Sequence, residues 1–67
     1  MKIKINKKEV EIPENSTISD ILLKDDIDEP VCVEVFLNKK RIHYEHYSET
    51  VLNENDEIEY IYLFASG

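Results

Sequence analysis

The residues able to do chemistry are few, and most stand in the wrong company. Cys32 is the one thiol. A reactive thiolate needs a base and an electropositive setting. Alternation along its strand gives Cys32 the neighbours Glu34 and Phe36, so it reads as a structural or incidental thiol. His43 and His46 stand three residues apart with Glu45 between them. Such a pair can share an ion, but a closed zinc site takes four ligands, usually with cysteine pairs. None are spaced for it, and surface histidines in an edge loop are the expectation; no metal site is assigned. Ser16 and Asp20 make a hydrolase with a histidine on paper only, since no spacing supports it. Lys39-Lys40-Arg41 is the one basic run. It reads as a solvated edge strand guarding against edge-to-edge pairing, with contact to a carboxylate or phosphate of a partner as the second reading. Gly67 is the only glycine and the last residue. Phosphate-cradling loops need several glycines so that backbone N–H groups approach the anion. No nucleotide is expected to bind through such a loop here, and any nucleotide chemistry falls to a partner.

Composition narrows the classes further. In 67 residues there are 15 Asp and Glu against 8 Lys and Arg, a net charge of −7. Nucleic acid and anionic membranes call for a basic surface, so neither is an expected partner. A single cysteine forms no internal disulfide. The longest apolar stretch, Tyr60 to Ala65, is far too short to span a membrane, and no leader peptide is visible. The expected compartment is the reducing cytoplasm. Hydrophobic residues make up 42%, too many for a disordered acidic tail. A chain this short is expected to be one domain, residues 1–67, burying only about 60% of its unfolded surface.

The elements that must position these residues follow from periodicity. Met1 to Asn6 alternates, with Ile3 and Ile5 inward, and Glu9 to Ile12 repeats the pattern with Val10 and Ile12 inward. Asn6-Lys7-Lys8 between them reads as a hairpin turn. Thr17-Ile18-Ser19-Asp20 has capping-box spacing, and Ile18, Ile21 and Leu22 form one apolar helical stripe. The helix should stop near Asp25-Asp26, where carboxylates oppose the negative end of the dipole, and Pro30 confirms that it is over. Val31 to Leu37 is a third strand, with Cys32, Glu34 and Phe36 on one face. Lys39 to Tyr44 reads as a short edge strand, Tyr44 to Ser48 as a tight turn or short helix, and Glu57 to Phe64 as the last strand. Asn6, Asn15, Asn38, Asn53 and Asn55 stand at expected turns, where Asn is the next-best residue to glycine for positive φ. One amphipathic helix on one face of a mixed sheet of four to five strands gives an α+β roll.

This order, at this length, resembles the β-grasp (ubiquitin-like) fold, and the second half resembles the ThiS-type sulfur carriers of thiamine biosynthesis. Asn38 matches the family's Asn after the third strand and Ile42 the apolar residue that follows. Tyr47 matches its aromatic, Val51-Leu52 the apolar step, Asp56 the turn aspartate, and Ala65 and Gly67 the tail. These spacings run without a gap from Asn38 to Gly67, and the helix start Thr17 to Leu22 is similar too. Three places depart from the pattern. His43-Tyr44 stands for a Pro-Arg pair, Asn55 for the turn glycine and Ser66 for the penultimate glycine.

The resemblance implies a carrier protein rather than an enzyme. Its C-terminal carboxylate is adenylated by an E1-like (ThiF-like) adenylyltransferase and converted to a thiocarboxylate. The sulfur then passes to a ThiG-like thiazole synthase. No cofactor is bound by the chain itself, and ATP is used by the partner. Gly67 is the implied attachment point, with Ala65 and Ser66 as a flexible threading segment over 65–67. A terminal carboxylate of pKa about 3.3–3.7 is ionised and a poor electrophile, which is why activation is needed. From Phe64, three extended residues reach about 10 Å. If the third and last strands are neighbours, as in β-grasp sheets, Phe36, Ile61 and Leu63 form an apolar patch opposite the helix for partner docking. Two alternatives stand beside this reading: a MoaD-type carrier for molybdopterin, and a β-grasp interaction module that no longer carries sulfur, which Ser66 favours.

Overall fold

The computed structural model describes residues 1–25 and 33–62. Two strands open the chain, β1 (Lys2–Ile5) and β2 (Lys8–Glu11), followed by helix α1 (Ile18–Lys24). Then come β3 (Val33–Leu37), β4 (Lys40–Ile42), a 3-10 turn (Tyr44–His46) and β5 (Glu57–Tyr62). The five strands make one mixed sheet in the order β2-β1-β5-β3-β4. β1 and β5 run parallel at its centre, and every other pairing is antiparallel. This is the α+β roll with one helix that the periodicity predicts. Residues 31–32 of the expected third strand, 63–64 of the expected last strand, and Pro30 lie outside the described residues.

Two-residue loops close both hairpins, because Ile5 pairs with Lys8 and Leu37 with Lys40. The central residues are Asn6-Lys7 and Asn38-Lys39, all at positive φ between 49° and 71°. That is the type I′ pattern, whose twist matches the flanking strands. Asn enters the left-handed region at low cost. Lysine has no such aptitude, yet loop length and strand twist leave Lys7 and Lys39 no other conformation. Asn15 and Asn55 also have positive φ. Asn53 does not; its backbone N–H instead donates to Asp56 Oδ2 at 2.7 Å.

At seven residues α1 is too short to stand alone in water, and it is held at both ends and along one side. Thr17 Oγ1 accepts from the Asp20 N–H at 3.3 Å, and Asp20 Oδ2 accepts from the Thr17 N–H at 2.9 Å, completing the capping box. Asp25 is the C-cap, its N–H directed at the carbonyls of Ile21 and Leu22. Ile18, Ile21 and Leu22 are buried against Ile3, Ile5, Val33, Val35 and Ile58 of the sheet, in one cluster. Each such side chain is worth about 1.5–3 kcal/mol relative to exposure. Tyr47 and Leu52, from the connection between β4 and β5, complete the cluster, so Tyr47 is the core plug its position suggested.

β2 begins and ends one residue earlier than the alternation indicated. Ile12 falls outside the strand but stays buried, its N–H donating to the Met1 carbonyl at 2.8 Å. β4 is shorter than expected at both ends, because the chain turns into the 3-10 segment after His43. An isolated bridge between Thr17 and Val51 ties the helix start to the β4–β5 connection. Among the described residues, no helix is long and apolar enough to cross a membrane.

Candidate functional site

The face of the sheet turned away from α1 divides into two halves. Toward β2, lysines and glutamates stand opposite one another: Lys2 faces Glu11, and Lys4 faces Glu9 on one side and Glu57 on the other. Toward β4 the character changes. β3 and β5 are neighbours, with Glu34 opposite Ile61 and Phe36 opposite Glu59. Phe36 and Ile61 therefore sit on one face as diagonal neighbours, about 7–8 Å apart in such a ladder. Ile61 is 58% exposed and Phe36 is half-buried. Arg41 stands opposite Phe36, with its guanidinium 3.6 Å from the Glu34 carboxylate. The result is a two-residue apolar patch interleaved with Glu34, Glu59 and Arg41. Leu63, the third residue assigned to it, lies outside the described residues, as do the tail residues Ala65, Ser66 and Gly67.

β5 leads to that tail, and side chains anchor the strand at its start and midway along. At its start, Asn38 Oδ1 accepts from the Glu57 N–H at 2.9 Å, and Asn38 Nδ2 donates to Asp56 Oδ1 at 3.0 Å. The Asn38 N–H also donates to the Glu57 carbonyl at 2.8 Å. The two polar residues Asn38 and Asp56 thus lock the β3–β4 turn to the turn that precedes β5. Midway along, Asn6 repeats the device from the other side: its N–H donates to the Ile58 carbonyl and its Oδ1 accepts from the Tyr60 N–H at 3.0 Å. The Tyr60 hydroxyl donates to Asp25 Oδ2 at the end of α1. Burial, then the hydrogen bond to the Asp25 carboxylate, push the Tyr60 phenol well above its ordinary range. Burial likewise raises Tyr47. The sequence hinted at the two asparagines, each of which opens a two-residue turn. Nothing local to either residue signalled the bond between Tyr60 and Asp25, which are 35 positions apart.

The other chemical candidates are engaged in local structure. Ser16 is buried and its hydroxyl donates to the Pro13 carbonyl at 2.6 Å, while Asp20 is committed to the capping box. The pair therefore offers no nucleophile and base. His43 Nδ1 accepts from the Glu45 N–H at 3.3 Å, and its ring lies 4.7 Å from that of Tyr44. His46 Nδ1 is 2.6 Å from the Glu49 carboxylate. Each histidine is exposed and partnered within its own turn. Among the described residues, no group of three or more His, Cys, Asp and Glu gathers as metal ligands would. Cys32 lies outside the described residues. The basic run does not act as a block: Lys39 occupies the turn, and Lys40 and Arg41 follow it on edge strand β4.

No protein-family model matches the chain, and no curated protein matches it. Solved structures do. A crystal structure of the thiamine biosynthesis protein ThiS from Geobacter metallireducens superposes with a TM-score of 0.83 at 22% identity, covering 100% of both chains. A solution structure of a thiamine biosynthesis protein from the same organism gives 0.82 at 23% identity, over 100% of this chain and 88% of that one. The likeness is one of fold: this chain has the β-grasp architecture of ThiS.

Proposed function

We propose that this protein is a sulfur carrier that works through its C-terminus in the manner of ThiS, in the cytoplasm, as a co-substrate of partner enzymes rather than as an enzyme. The observation that carries the reading is the fold shared with a ThiS protein over the full length of both chains. Fold alone does not assign function. The support from the chain itself is the match from Asn38 to Gly67.

The chemistry asks little of the folded body. The Gly67 carboxylate attacks the α-phosphorus of ATP on an E1-like adenylyltransferase of the ThiF type, and pyrophosphate leaves. Hydrosulfide released by the sulfur donor attacks the acyl-adenylate carbon, AMP leaves, the S–H proton is lost to solvent, and a thiocarboxylate remains. That sulfur is then the nucleophile delivered to a ThiG-like synthase forming a thiazole. The chain binds no cofactor in this scheme. Its own work is to present Ala65-Ser66-Gly67 to the partner and to dock through Phe36, Ile61 and Leu63.

Incubation with the E1-like enzyme of the same organism, ATP and a sulfur donor tests the proposal by intact mass spectrometry. The carrier gains the mass of one oxygen replaced by sulfur, and deletion of Gly67 abolishes the gain. No gain contradicts it. Ser66 favours a second reading, a β-grasp interaction module that has lost the carrier role. Under that reading Ser66→Gly creates thiocarboxylation where the native chain shows none.

A further inference from the structure

We infer that Tyr60 and Asp25 form a positioning pair that holds the outer half of β5, and with it Ile61, in place for docking. The inference rests on the partner-docking part of the proposed function. Three observations converge on it.

The first is a charge in an unfavourable place. Asp25 caps the C-terminal end of α1, where the helix dipole presents its negative pole and disfavours a carboxylate. A residue kept there against the dipole has a compensating partner, and that partner is the Tyr60 hydroxyl. The second is the asymmetry of support along β5. β1 pairs with β5 only at Lys4–Glu57 and Ile5–Ile58, whereas β3 follows it out to the Val33–Tyr62 pair. Beyond Ile58, the β1 side of the strand is held by the Asn6 side chain on the Tyr60 N–H and by Tyr60 on Asp25. The third is where this leads. Tyr60 packs edge-on against Tyr62, with ring centroids 6.3 Å apart, and between them Ile61 projects from the opposite face, 58% exposed. A docking residue on a loosely held strand end must be ordered when the partner binds, and that ordering weakens association. The link from α1 to Tyr60 removes that cost in advance.

Two arms test the pair. In the first, the KM of the carrier for the E1-like adenylyltransferase is compared with kcat. Tyr60→Phe and Asp25→Ala raise KM about fivefold, the equivalent of one hydrogen bond of about 1 kcal/mol, and leave kcat unchanged. Asp25→Asn, whose amide oxygen still accepts from Tyr60, stays within about twofold of the parent. The second arm needs no partner: amide hydrogen exchange at Ile61 quickens about fivefold in Tyr60→Phe, while exchange at the buried β3 amides does not. Unchanged exchange at Ile61 overturns the inference whether or not the carrier reading stands. So does an Asp25→Asn variant as impaired as Asp25→Ala. A parent chain that is never adenylated sinks the carrier reading instead, and the exchange arm then decides whether the pair holds the strand.

Discussion

Replacing Asn38 separates the backbone role of a turn residue from its side-chain role. The residue sits at φ 52°, and its amide accepts from the Glu57 N–H at 2.9 Å while donating to Asp56 at 3.0 Å. Alanine at this position loses both hydrogen bonds and lacks asparagine's tolerance for the left-handed region. Two exposed hydrogen bonds contribute about 0.5–1 kcal/mol each, and the left-handed conformation costs a non-glycine residue about 1–2 kcal/mol. Asn carries part of that conformational cost already, so Asn38→Ala should destabilise by about 2–3 kcal/mol. Glycine loses the same two bonds but adopts the turn freely, so Asn38→Gly should cost only about 1 kcal/mol. A domain of this size has about 7 kcal/mol in all, on the order of 0.1 kcal/mol per residue, so both changes are easily read. Urea unfolding followed by circular dichroism gives the two midpoints, compared at constant slope. If Asn38→Gly matches the parent, the side-chain bonds contribute no more than the relief of the left-handed turn, and the account of how β5 is anchored fails. If glycine and alanine are equally damaging, the argument from the left-handed turn fails.

Other outcomes follow from the same geometry. Lys7→Gly and Lys39→Gly each relieve a left-handed lysine and should raise stability by about 0.5–1 kcal/mol, read as a higher urea midpoint. Tyr47 and Tyr60 both ionise above the ordinary tyrosine value near 10. Their neutral forms therefore favour the folded state, and that contribution is fully present below pH about 10 and lost as pH rises through the raised values. Unfolding midpoints measured across the alkaline range should fall, and a flat profile contradicts the assignment. Ile61→Ser removes an exposed side chain, so stability should stay within about 0.5 kcal/mol while affinity for the activating enzyme falls about tenfold, as measured by calorimetry.

Much of this architecture was legible because its signals are local. The alternation of Ile3 and Ile5, the spacing of Thr17 and Asp20, and the stripe of Ile18, Ile21 and Leu22 each state their element within a few residues. Asn6 and Asn38 announced their turns through a known tolerance for positive φ. Lys7 and Lys39 did not, because their conformation is imposed by a two-residue loop between twisted strands and not by any property of lysine. β2 slipped by one residue because Ile12 is buried equally well beyond the strand end, where periodicity cannot mark a boundary. At the site, alternation alone placed Phe36 and Ile61 on one face. It did not show that Glu34, Glu59 and Arg41 interleave with them, since that depends on the register of β3 against β5 and β4. Asp25 looked like a simple stop signal, and only the fold brings Tyr60 to it.

The most direct test of the carrier account is to recover the protein from its own cells, trap it with an alkylating agent selective for sulfur nucleophiles, and fragment it in the mass spectrometer. A fraction of the chains should carry the alkyl group on a thiocarboxylate at the Gly67 carbonyl, and the fraction should fall to zero when the E1-like gene is deleted. Label found only on Cys32, or a Gly67 that is always an ordinary carboxylate or is followed by further residues, contradicts the account.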